Sequence, residues 1–214
     1  MNEEQIKKEI KRYAFIDVPN TNGTTKNLHN FSIDWKKLYE LLTNKKWNCC
    51  DVFFYKGYKG KKEKAQLEKM EEDIGYKIRT KFTHIHKDKE EEIQVKCDEC
   101  DKEFLYTHKI NGARKSNCDV ELTVDAVNFL SEGDEALIFT GDGDFAYLID
   151  DLVEKGIVVY VISSQKRDKY GNKRFSTRLG KIIKEEEKNG NKRVVFIPIN
   201  NWNNSIKKEN RHEA

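Results

Sequence analysis

No stretch of the sequence approaches the ~20 consecutive apolar residues that a membrane span requires. The opening residues, MNEEQIKKEIKRYAFID, hold no apolar run of the signal-peptide kind. No membrane role is therefore expected. Neither sign of charge dominates, since 40 Lys and Arg face 37 Asp and Glu for a net +3. Bulk charge does not announce a nucleic-acid binder, so any such surface must come from local clustering. Cysteine is scarce and odd in number, five in all, with Cys49 and Cys50 adjacent. That argues against a disulfide scaffold and for a reducing, cytoplasmic setting. What is there is an 11% aromatic content and several apolar runs in a chain of 214 residues. Despite a mean hydropathy of −0.85, these suffice for the core of one domain, with room for an insertion.

The apolar runs alternate with helical patterns. Residues 13–17 (YAFID) read as a buried strand ending in an acid, followed by VPNTNG as a loop. Ser32 is placed to cap a helix carrying Trp35, Leu38 and Leu42 at helical spacing. Residues 49–58 read as a strand, 61–73 as a helix and 76–86 as an alternating strand. The polar segment 87–115 interrupts this rhythm and is expected to be an inserted hairpin. Helix 119–130 is apolar on most sides, which predicts a buried helix. Strands at 136–140, 157–164 and 193–199 then alternate with helices at 145–154 and 177–188. The pattern predicts an α/β fold, a Rossmann-like three-layer sandwich with a mainly parallel sheet and an inserted hairpin. The domain is expected over residues 1–202, with a loose polar tail at 203–214.

In such sheets, functional groups gather at the carboxyl ends of the strands, near the switch in strand order. Two ends carry unusual chemistry: Asp17 after the first strand, and Gly-Asp-Gly-Asp at 141–144 after the fourth. Asp119 opens the apolar helix. Four carboxylates at one end of a sheet repel one another unless cations occupy the site. Mg²⁺ and Mn²⁺ prefer such oxygen ligands. Taken alone, Gly-Asp-Gly-Asp reads as a turn in which Asp144 caps a helix. Asp17 at a second strand end tips the balance toward a metal site.

The combination of F-I-D-x-x-N at 15–20, K-x-x-x-D-V-x-L-x-x-D at 115–125 and T-G-D-G-D-F at 140–145, followed by S-T-R-L at 176–179, resembles the NYN domain. This is the LabA-like branch of the PIN-like nucleases. The resemblance spans roughly residues 12–200, and the Cys-x-x-Cys of the insertion is not part of it. It implies a PIN-like fold and a metal-dependent ribonuclease with Asp17, Asp119, Asp142 and Asp144 as the catalytic, metal-binding acids. Mg²⁺ or Mn²⁺ held there would activate water for in-line hydrolysis of a phosphodiester. Asn20 would hold the loop or touch substrate. The expected partner is single-stranded or structured RNA, with DNA also open.

Other residues carry plainer alternatives. Asp125 lies about 240° around an ideal helix from Asp119 and reads as structural, whereas Thr123, about 40° away, is the nearer neighbour of the metals. Lys115 reaches a phosphate or an acid, or is a solvated lysine. The run 166–178 holds Lys166, Arg167, Lys169, Lys173, Arg174 and Arg178 against Asp168, with Tyr170 and Phe175 interleaved. It follows a strand end and is expected to grip a single strand through phosphate contacts and stacking. The run 56–64 is a second basic candidate. Cys97 and Cys100 supply half of a tetrahedral zinc site, which His84 and His86, or His108, would complete as about one structural zinc per chain. The plainer alternative is free thiols in a hairpin turn. Cys49, Cys50 and Cys118 are expected in the core. Oligomeric state is open, a homodimer included.

Two competitors remain. One is a non-catalytic RNA-binding or scaffold module that keeps the fold. The other is a haloacid-dehalogenase-type phosphohydrolase, disfavoured because Asp17 is followed by Val18-Pro19 rather than by a second acid two residues on.

Overall fold

The computed structural model describes residues 9–85, 89–110, 114–115 and 117–209. In chain order its elements are β1 (Arg12–Asp17), α1 (Val18–His29), α2 (Trp35–Thr43), β2 (Asp51–Tyr58), α3 (Lys61–Ile74) and β3 (Lys77–Phe82). Then come β4 (His84–Ile85), β5 (Lys89–Lys96), β6 (Glu103–Ile110), β7 (Arg114–Lys115), α4 (Asp119–Phe129) and β8 (Glu135–Phe139). The chain continues through α5 (Ala146–Glu154), β9 (Val158–Ser163), α6 (Thr177–Lys188), β10 (Val194–Pro198) and α7 (Asn203–Ile206), with short 3-10 turns at Gly143–Phe145 and Ile199–Trp202.

Six strands form one sheet in the order β10-β9-β8-β1-β2-β3, and every neighbouring pair is parallel. Continuous apolar strands suit this, because a parallel sheet is covered on both faces. One core joins Phe15, Phe53 and Ile138 to Leu122 and Ala126 of α4, Ile149 of α5 and Leu179 of α6. The other joins Ile16, Phe54 and Phe139 to Leu38 and Leu42 of α2, Leu67 of α3 and Ile206 of α7. Each fully buried large apolar side chain contributes roughly 1.5–3 kcal/mol. The chain is thus an α/β protein with a parallel sheet between two helical layers. Among the described residues no helix is long and apolar enough to cross a membrane.

Several local expectations are corrected. VPNTNG is not a loop but the start of α1. Asp17 caps it by accepting from Asn20 N, and Pro19 occupies the first turn, where its missing N–H costs nothing. Thr21, Thr24 and Thr25 are buried, so tertiary packing sustains a helix of poor intrinsic propensity. Asp34, not Ser32, caps α2, accepting from Lys36 N and Lys37 N. Helix α4 buries Leu122 and Ala126, but Val120 is 68% and Val124 50% exposed, because only one side of the helix meets the sheet.

The expected strand 76–86 breaks at Thr83. Past the break, β4 leaves the sheet and pairs antiparallel with β7, His84 opposite Lys115. Between them, β5 and β6 form the inserted antiparallel hairpin. Residues 203–208 are not loose. Ile206 is fully buried, Asp34 N donates to Ile206 O at 2.8 Å, and Lys208 N donates to Ser32 O at 2.8 Å. The rest of the expected tail, from 210 on, lies outside the described residues. Cys49 and Cys118 are buried as expected, whereas Cys50 is exposed.

Candidate metal centre

Strand order reverses at β1, which has β2 on one side and β8 on the other. The carboxyl ends of β1 and β8 therefore flank the crevice where parallel α/β sheets bind ligands. Asp17 is the last residue of β1. Asp142 and Asp144 follow β8, and Asp119 is the first residue of α4. One ligand oxygen each from Asp119, Asp142 and Asp144 lies within 4.8 Å of the others. Asp17 stands outside that trio but within its electrostatic field.

A small set of hydrogen bonds holds the acids. Asp17 Oδ1 accepts from Asn20 N at 3.3 Å, and Oδ2 accepts from Thr140 Oγ1 at 3.1 Å. Thr140 Oγ1 in turn accepts from Asp142 N at 3.1 Å. Asp142 caps the 3-10 turn by accepting from Asp144 N at 3.1 Å. Asp119 is held by Asn117, whose side-chain amide donates to Asp119 Oδ2 and whose Oδ1 accepts from Asp119 N. Burial pushes the Asp17 carboxyl up to about 6, helped by Asp119 and Asp142 and opposed by the bonds from Asn20 and Thr140. Burial also raises Asp119. Asp142, Asp144 and Glu121 add to that rise, and Asn117 opposes it. Among the described residues no lysine or arginine forms an ion pair with any of the four acids. An oxygen-only donor set with uncompensated charge fits a hard divalent cation.

Beside the trio opens a cleft of about 660 Å³ whose lining includes Asn20, Asp142, Lys173, Arg174, Ser176 and Arg178. Ser176 caps α6 by accepting from Arg178 N, and Ser176 N donates to Gly141 O at 2.8 Å, which docks the basic loop onto the acidic turn. Asn20 Oδ1 accepts from Gly141 N at 2.9 Å, so Asn20 ties the end of β1 to the turn after β8. Gly141 leaves no room for a side chain, because a Cβ there would lie 2.8 Å from Arg174 O and 2.8 Å from Ser163 Oγ. The hydroxyl can rotate away, but the carbonyl cannot. Gly141→Ala is therefore expected to lose about 1–3 kcal/mol of stability in denaturant unfolding. An unchanged midpoint would show that the loop yields freely.

Some candidates lie differently from expectation. Phe175 is buried against Phe196, ring centroids 5.2 Å apart, and offers no face to a base, while Tyr170 is 77% exposed. Lys166 Nζ donates to Leu28 O and Arg167 Nη1 to Gly171 O, so both brace the protein itself. Lys56 pairs with Glu63 at 2.8 Å, which weakens the second basic run. Asp125 accepts from Tyr55 OH and Arg79 Nε, both at 2.9 Å, in keeping with a structural role. Lys115 has its backbone in β7, and its side chain lies outside the described residues.

Among the described residues the expected zinc ligands are not brought together. Cys97 and Cys100 sit at the tip of the β5–β6 hairpin. His84 lies at its base in β4, and His108 faces Glu91, five residue pairs back from the last pair of the ladder. An extended strand rises about 3.3 Å per residue, so both histidines are out of reach of the thiols. His86 lies outside the described residues. Two residues that position the acids escape a reading of the sequence alone. Thr140 is visible there only as part of the T-G-D-G-D-F string, and Asn117 carries no signal beyond standing two residues before Asp119.

A parallel α/β sheet with clustered carboxylates at its switch point is consistent with a PIN-like domain. Residues 12–181 match the model of the NYN domain, and the chain belongs to that family. It is 27% identical over 117 residues to the low amplitude and bright protein LabA of Synechococcus elongatus, a match covering 53% of this chain and 52% of that protein. The chain thus spans about half the length of this curated relative. In three dimensions it is similar to a protein of unknown function, VPA0982 from Vibrio parahaemolyticus. That likeness has a TM-score of 0.58 at 16% identity and covers 93% of this chain and 96% of the other. It speaks for the shared fold.

Proposed function

We propose that this protein is a metal-dependent nuclease that hydrolyses phosphodiester bonds of RNA, with Asp17, Asp119, Asp142 and Asp144 holding Mg²⁺ or Mn²⁺. The observation that carries the reading is the convergence of Asp119, Asp142 and Asp144 within 4.8 Å, beside the half-buried Asp17. When bound, a divalent ion supplies Lewis-acid stabilisation of the scissile phosphate and a more acidic water. The chain's own residues do the rest. Thr140, Asn117 and Asn20 orient the acids and their turn. Lys173, Arg174 and Arg178 line the adjoining cleft and neutralise the incoming backbone. Exposed Tyr170, with Lys169 Nζ 4.9 Å from its ring centre, offers a stacking face. NYN nuclease domains act on nucleic acids, and the choice of RNA rests on that family likeness.

The test is a cleavage assay with RNA and DNA oligonucleotides in Mg²⁺, in Mn²⁺ and in EDTA. Ion-dependent cleavage of RNA supports the reading. RNA binding without cleavage under any ion would return the protein to the class of non-catalytic binding modules.

Substrate grip separates from chemistry at Lys173 and Arg174. Replacing both with Gln should weaken binding of all sequences alike and flatten its salt slope by up to about 0.7 for each lost phosphate contact on a single strand. Cleavage at saturating RNA should change far less, because the carboxylates are untouched. Unchanged affinity at low salt would make this run a solvated loop.

A further inference from the structure

Strands β5 and β6 are eight residues each and pair in full, from Lys89 opposite Ile110 to Lys96 opposite Glu103. At about 3.3 Å per residue the ribbon projects roughly 25 Å. Its tip is a closed turn. Cys97 N donates to Lys102 O at 2.9 Å, Asp101 N donates to Cys97 O at 3.0 Å, and Asp101 adopts the left-handed conformation at φ 55°. The backbone N–H groups of Glu99 and Cys100 point at the Cys97 sulfur, as does the Cys100 thiol. Both cysteines are free, Cys100 exposed and Cys97 partly so. The turn is therefore shaped to present two sulfurs side by side at the tip of the ribbon.

Two sulfurs are half of what a tetrahedral thiophilic ion needs. Among the described residues no third histidine, cysteine or carboxylate joins them within ligating distance. The ribbon itself is also incomplete. Its register places Ile93 opposite Tyr106 and Val95 opposite Phe104, all on one face. Ile93 is 44% exposed, and Phe104 and Tyr106 are each 53% exposed. Beyond each other, the two strands make at most marginal contact with other described elements. An isolated two-stranded ribbon is marginally stable in water and calls for cover on its apolar face.

We infer that Cys97 and Cys100 form half of a Zn²⁺ site shared between two copies of this chain, the second copy supplying the same two sulfurs. A two-fold axis along the ribbons satisfies both deficits at once. It brings the tips together as a Cys₄ set and lays one apolar face against the other, as an isologous contact requires. Each thiol gives up its proton to solvent as it ligates the ion. Zinc fits because its tetrahedral sites are filled by thiolates and need no open position in a structural role. The inference is independent of the acidic centre, so either can fail without the other.

The experiment uses the full chain, purified under reducing conditions without chelator, with elemental analysis and light-scattering mass measured on one sample. The expected result is a dimer carrying about one zinc per two chains. Cys97→Ser with Cys100→Ser should remove the zinc and give monomers, with the circular dichroism of the α/β domain unchanged. Zinc at one per chain in a monomer would overturn the shared site. So would absence of bound zinc after incubation with the metal, or a dimer that persists in the double variant. A Cys97–Cys100 disulfide found by mass in the reduced preparation would overturn it as well.

Discussion

Asp142→Asn is expected to lower RNA cleavage by on the order of 10²–10³-fold, the magnitude typical when one preorganised electrostatic group is removed. The fold should be intact. Asn is as good a cap as Asp, and its remaining oxygen can still accept from Asp144 N, the bond that closes the 3-10 turn. What disappears is one negative oxygen from the trio at 4.8 Å. RNA affinity should hold or rise, because repulsion of the phosphate backbone falls. The measurement is single-turnover cleavage in Mg²⁺ beside circular dichroism and a binding titration. An Asp142→Asn protein that cleaves at the wild-type rate would remove Asp142 from the metal site.

The second large effect is on stability, and its sign is unusual for a carboxylate. Asp17 has its pKa raised from 3.8 to about 6 in the folded protein. Between those values the folded state binds more protons at this residue than the unfolded state does. The contribution to stability is therefore full below about pH 4 and is lost as pH rises through about 6. A gap of about two pH units corresponds to at most about 3 kcal/mol. Asp119, raised for similar reasons, acts in the same direction. In metal-free buffer, Asp17→Asn should be more stable than wild type at pH 7, and the difference should shrink toward pH 4. Urea unfolding in EDTA at several pH values gives that difference directly. Saturating Mn²⁺ should reverse the ranking at pH 7, because wild type alone offers the full set of carboxylates. A difference that stays flat with pH would mean that Asp17 is not destabilised in its ionised form.

The legible part of this protein is the part where a short-range signal and a long-range role coincide. YAFID and ALIFT are continuous apolar runs of the kind that suits a strand covered on both faces. The acids that end or follow them mark the strand ends that the topology brings together. The errors arise where tertiary packing decides. VPNTNG looks like a turn because its residues favour turns, yet a cap from Asp17 and three buried threonines make it helix. Pro19 is a helix-start signal present in the sequence, but the Asn and Gly around it mask it. Phe175 reads as an exposed aromatic among cations, and only the position of Phe196 shows it to be core. The histidines and cysteines of the insertion look close along the chain, but the extended hairpin holds them apart. Spacing in sequence says little about distance once a ribbon projects from the domain.

The central strand also bears on synthesis at the ribosome. β1 meets β2 early, but its other neighbour arrives late: Arg12 and Glu135 are 123 positions apart. At about 5–20 residues per second, the edge of β1 stays bare for roughly 6–25 s. Tyr13, Ala14, Phe15 and Ile16, all buried in the finished sheet, spend that interval with one backbone edge unpaired. The β5–β6 ribbon emerges in the meantime and can close on its own, since its pairing is local. A nascent chain with only its first 115 residues outside the ribosome would carry both ribbon strands on an unfinished sheet, with the edge of β1 open to another nascent strand.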